Sequence, residues 1–145
     1  MDYAHGCALL NMGLDMYLIR RTRDVKLKIL NTLDNKPEDE DVGYWRKANQ
    51  IHRWFVINVQ NKKDDCNFYE VSKDKIIELL EICKKVKNHH TDAKELLPTA
   101  SGFFFGGTDY DNYYFNEITD TIKILTKVLE ETDFDKQTIF YYSSW

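Results

Sequence analysis

A chain of 145 residues with 43% hydrophobic and 14% aromatic content can bury one sizeable core, which argues for globular folding over disorder. Its formal net charge of -4 offers no bulk attraction to nucleic acid or to an anionic membrane, and no apolar run approaches membrane-spanning length. Cys7, Cys66 and Cys83 are odd in number and lack C-x-x-C spacing, which argues against a disulfide framework or a zinc site and for the reducing cytoplasm.

Residues 1–11 show no clear period and lack the basic start and apolar core of a secretory signal. They read as a peripheral extension, with Met12 as an alternative initiator, ahead of a single globular domain over 12–145. Leu14, Met16 and Leu18 alternate with Asp15, Tyr17 and Ile19, the period of a strand with one better-buried face. Residues 24–33 read as a second strand or a short helix, and the acidic stretch 31–41 as a solvated loop. From Val42 to Gln60 an apolar stripe of Trp45, Ala48, His52, Phe55, Val56 and Val59 predicts one helix, with Trp54 and Ile57 off the stripe. A turn over 61–65 and a strand over 66–71 precede Ser72, a favourable N-cap. The helix it opens buries Ile76, Leu79, Leu80, Cys83 and Val86. Residues 102–108, three phenylalanines bracketed by glycines, read as a strand in a tight connection. Thr108 or Asp109 caps the last long helix, and residues 139–145 form a terminal strand. Three useful helices against a small, mostly antiparallel sheet make an α+β fold.

The best functional signal is the run from Tyr44 to Phe55, with two tryptophans, three cations, Asn49 and His52, because Trp, Tyr and Arg are the side chains that most often anchor ligands and partners. His52 has two readings. It is either a core histidine whose ring nitrogens find partners, or the edge of a pocket in which Arg46, Asn49 and Arg53 hold phosphate or base while Tyr44, Trp45 and Phe104 stack. Trp54 and Ile57 offer a partner surface, as do Asp109 and Asp111 at the head of an acidic segment that carries eight carboxylates over 109–135 against Lys123 and Lys127. Two carboxylates without further ligands are a weak metal signal. No cofactor motif, G-x-S-x-G, H-E-x-x-H or Walker pattern is present.

Arg46-Lys-Ala-Asn-Gln-Ile-His52 resembles the Arg–His motif of HEPN ribonucleases, which implies that Arg46 and His52 act on a scissile phosphate without metal. The predicted strands depart from the all-helical HEPN bundle. Met12-Gly-Leu-Asp-Met-Tyr-Leu18, Gly43 to Phe55, Leu96-Leu-Pro-Thr-x-Ser-Gly-Phe-Phe-Phe-Gly106 and Tyr141-x-Ser-Ser-Trp145 together resemble a group of small uncharacterised bacteriophage and prophage proteins. That resemblance implies a viral protein in the host cytoplasm. It sets up the expectation of a non-enzymatic accessory protein that counters a bacterial defence system, either as a sponge for a nucleotide-like signal or, anti-CRISPR-like, by occluding a nucleic-acid-binding effector. The alternatives are the metal-independent ribonuclease and a structural or regulatory interaction module. The expected partners are therefore a defence protein or a nucleotide signal, without direct nucleic-acid binding or a membrane, and the surface is compatible with a homo-oligomer.

Overall fold

The computed structural model describes residues 13–23, 39–102 and 105–145. The expected extension 1–11, the segment 24–33 and Phe104 lie outside the described residues.

Alternation places Leu14, Met16 and Leu18 on the core side of β1 (Asp15–Thr22). Asp15 and Ile19, on the other side, are buried as well. β1 pairs antiparallel with β2 (Glu40–Arg46) and with β4 (Gln137–Ser144), and β4 pairs antiparallel with the three-residue β3 (Tyr69–Val71), so the sheet runs β2-β1-β4-β3. The β1–β2 register shifts between Leu18 and Ile19, leaving Val42 as a bulge. Gly43 is required beside it, because a Cβ there would lie 2.8 Å from Ile124 of the helix packed on the sheet.

The single helix expected over 42–60 is two elements. Residues up to Arg46 belong to β2, Lys47 takes a left-handed φ of 58°, and α1 spans Asn49–Asn58. The ladder with β1 wins because Tyr44 and Trp45 suit a pleated surface and the Lys47 amide donates back to the Leu14 carbonyl at 2.7 Å. The acidic loop ends earlier than expected: Glu40 already pairs with Arg20 of β1, and Asp39 forms a buried ion pair with Arg21. The strand expected from residue 66 begins at Tyr69, since Cys66 is left-handed and Asn67 donates into a local turn on Asp65.

Ser72 caps α2 (Lys73–Asn88) through the Lys75 amide, and the five expected apolar residues are buried. A 3-10 turn (His90–Asp92) and one helical turn, α3 (Ala93–Leu96), lead into the loop. Gly102 and residues 105–108 are not a strand. α4 (Asn112–Glu131) is capped by Asp111, whose carboxylate accepts from the Tyr114 amide, rather than by Thr108 or Asp109. α1, α2 and α4 bury their apolar faces with the inner face of the sheet in one cluster, where the Phe55 ring stacks on Tyr141 at 3.9 Å. The fold is α+β. No helix among the described residues is long and apolar enough to cross a membrane.

Cys66 is disulfide-bonded, contrary to expectation, while Cys83 is a buried free thiol that burial pushes up to about 12. The cysteine argument for a reducing compartment therefore falls away.

Candidate functional site

The expected ligand residues separate once Tyr44 to Arg46 lie on a strand. Trp45 points into the core, where its indole donates to the Thr121 hydroxyl at 2.8 Å; it is no stacking platform for a ligand. His52 is only 1% exposed. Its Nε2 donates to Asp64 Oδ1 at 2.9 Å and its Nδ1 accepts from the Tyr141 hydroxyl at 2.6 Å, a tautomer set by the acceptor-only carboxylate. Trp145 donates to the same Asp64 oxygen, and Phe105 packs edge-on against the imidazole. Burial raises the Tyr141 phenol well above its ordinary range. With both nitrogens engaged, His52 is the satisfied core histidine.

Asn49 is also structural. Its amide donates to the carbonyls of Phe105 and Gly107, and its oxygen accepts from the Ala100 amide at 2.9 Å. These three bonds staple the loop after α3 to the start of α1. Gly106, at φ 87°, lets the loop pass Lys47, and a Cβ there would lie 3.1 Å from the lysine Cβ.

The staple shapes a cleft of about 260 Å³ between the β2–α1 junction, the loop and the first turns of α4. Arg46 lies on its wall. Asp15, 2% exposed, grips the Arg46 guanidinium at 2.8 and 3.0 Å and raises its pKa further. The Tyr44 hydroxyl donates to the same carboxylate, and this bond is the main reason its own pKa rises. Gly13 lies against the guanidinium, where a Cβ would come within 2.6 Å of Nη2 and oblige the arginine tip to shift.

Lys47, Gln50, Gly107, Tyr113 and Glu117 complete most of the cleft, with Asp109 and Asp111 at the entry to α4. Glu117 is half-buried. Burial pushes its carboxyl up to about 7, with Asp111 and Asp120 adding to the effect and the bond from Gln50 opposing it. Gln50, 2% exposed, donates from Nε2 to Glu117 Oε1 at 3.1 Å and to the Tyr114 carbonyl at 3.4 Å. Tyr113, 80% exposed, stands free on the lining. No three His, Cys, Asp or Glu side chains among the described residues group as a metal site.

Gln50 also lines a second cleft of about 310 Å³, which gathers Arg53, Trp54 and Ile57 with Glu78, Glu95 and Pro98. Trp54 is buried against expectation, packing edge-on against Phe55, whereas Ile57 is exposed. The expected site is thus divided. Arg46, Asp109 and Asp111 line one cleft, Arg53, Trp54 and Ile57 the other, and Trp45, Asn49 and His52 hold the fold. Lys47, Gln50, Tyr113 and Glu117 were missed. The glycine pair and the cationic run hinted at the first cleft, but nothing in the sequence marks Glu117, whose importance comes from burial. No family model, curated protein or solved structure matches the chain.

Proposed function

We propose that the protein is a non-enzymatic binding protein that holds a small polar ligand in the cleft between the β2–α1 junction and α4. The observation that carries this reading is the combination, around one concavity, of an anchored guanidinium at Arg46 and a half-buried carboxyl at Glu117 whose proton affinity is shifted to neutrality. Such a combination in a cleft is characteristic of binding sites. A carboxylate kept where burial opposes its charge costs stability, and ligand recognition gives a reason for retaining it. In the phage or prophage setting that the sequence motifs imply, the ligand is a small signal of a bacterial defence system and the protein withholds it.

Two alternatives have less support. The ribonuclease reading needs Arg46 and His52 on one phosphate, yet Arg46 sits at the end of β2 in a cleft that His52 does not line, and the imidazole is buried with both nitrogens bonded. Occlusion of a nucleic-acid-binding effector needs a continuous acidic face. On α4 the exposed Lys123 and Lys127 lie between Asp120 and Glu130 and break it.

The test is purification from cells with active defence systems, followed by mass spectrometry under native and denaturing conditions. A retained small molecule, lost from the Lys47→Ala and Glu117→Gln variants, is the expected result. A stoichiometric host protein with no small molecule would replace this reading with occlusion. Chelator-resistant RNA cleavage by the wild type, abolished in folded Arg46→Ala and His52→Ala variants, would replace it with catalysis.

A further inference from the structure

We propose that the cleft selects a small zwitterion of the amino-acid class, its carboxylate held by Arg46 and Lys47 and its ammonium group by Glu117 and Gln50. The inference rests on the binding role proposed above and names the ligand chemistry.

The charges around the cleft disfavour a polyphosphate. Asp15 already neutralises Arg46, which leaves Lys47 as the remaining cation on the lining against Asp109, Asp111 and Glu117. A ligand bearing several negative charges would meet more repulsion than attraction here. A single carboxylate asks less of the lining, needing only the one remaining charge of Lys47 and hydrogen-bond donors from the guanidinium that Asp15 neutralises and orients. Size points the same way, since about 260 Å³ lies below the roughly 300–1,000 Å³ of pockets for drug-sized ligands.

Hydrogen-bond accounting places the positive end. The Gln50 amide nitrogen faces two acceptors, Glu117 Oε1 and the Tyr114 carbonyl, which fixes the orientation of the amide. Its oxygen has no hydrogen-bond partner among the described residues and, unlike the buried unpartnered oxygens of Gln60 and Ser143, stays open to solvent. Glu117 Oε2 likewise has no partner among them. Two solvent-accessible acceptors beside the cleft are therefore open to a ligand's donors, and an ammonium group supplies three. The charged groups lining the cleft are Arg46 and Lys47 from the β2–α1 junction, Asp109 and Asp111 from the loop, and Glu117 from α4, with Asp120 of α4 also acting on Glu117. Of these, Glu117 is the one shifted to neutrality, so affinity for an ammonium-bearing ligand should fall on acidification through about pH 7.

Titration calorimetry at pH 8 tests the assignment, with the twenty free amino acids, their N-acetyl and C-amide derivatives, and nucleoside monophosphates as probes. The expected result is binding of at least one free amino acid. N-acetylation, C-amidation or Glu117→Gln should each weaken it about tenfold. Binding that survives N-acetylation unchanged would overturn the ammonium site. Binding of the monophosphates with affinity unaltered by Glu117→Gln would overturn the zwitterion while leaving the cleft as a binding site. If no probe binds and the protein purified from cells retains no small molecule, both this inference and the binding role fail.

Discussion

His52 and Gln50 lie two residues apart on α1, and each joins a carboxylate to a tyrosine across the fold, yet they do opposite things. The His52 side is closed at the ring: the buried imidazole spends one nitrogen on Tyr141 and the other on the partly exposed Asp64, whose same oxygen also accepts from Trp145. The Gln50 cluster is open, because Glu117 and Gln50 share one bond and keep acceptors to spare beside a cleft. Residue type alone favours histidine as the functional group. What separates the two is whether the hydrogen-bonding capacity has already been used inside the protein.

Breaking the closed side should cost most. Phe55→Ala removes a fully buried ring stacked on Tyr141 and should destabilise by about 3 to 5 kcal/mol, read by chemical denaturation. His52→Ala should follow at about 2 to 4 kcal/mol, since it leaves a cavity and strands the Tyr141 hydroxyl in the core. If the His52 variant were as stable as wild type, the network would be ornamental and the histidine would be free for a functional role.

Much of this architecture was legible from residue order. The strand periods around Met16 and Ile139, the Ser72 cap and the buried face of α2 all follow from local rules. The β2–α1 junction did not, because Trp45, Ala48 and His52 fit a helical period while the chain up to Arg46 has a strand partner 20 to 31 residues away in sequence. Long-range pairing overrode the local pattern. The site suffered the same way. Arg46 and the two aspartates are visible as residue types, but the value of Gln50 and Glu117 depends on burial and on which acceptors remain unfilled, and neither is a property of spacing.

The open side predicts a smaller effect of opposite sign. A carboxyl whose folded value lies above its unfolded one binds more protons in the native state, so its contribution is complete below about pH 4.5 and is lost as pH rises through about 7. Glu117→Gln keeps the bond from Gln50 and removes that loss. It should therefore raise stability at pH 8 by about 1 to 2 kcal/mol, after allowing for solvent screening at this half-buried site, and should change little at pH 4. Thermal melts at the two pH values check both the sign and the window. A variant less stable than wild type at pH 8 would mean that the carboxylate is paired in a way that supports the fold.

The smallest effect separates the two arginines first grouped as one site. Arg46 pairs with the almost wholly buried Asp15, so Arg46→Ala takes the guanidinium from a carboxylate in the interior and should lower the melting temperature measurably. Arg53 lines the second cleft with no ion pair among the described residues, so Arg53→Ala should stay within about 0.5 kcal/mol of wild type. It should also leave ligand binding in the first cleft unchanged, whereas Lys47→Ala weakens it. Parallel melts and titrations of the three variants decide the matter. If Arg53→Ala abolished binding while Lys47→Ala did not, the functional concavity would be the one beneath Trp54 and Ile57, with Gln50, which lines both clefts, serving that side instead.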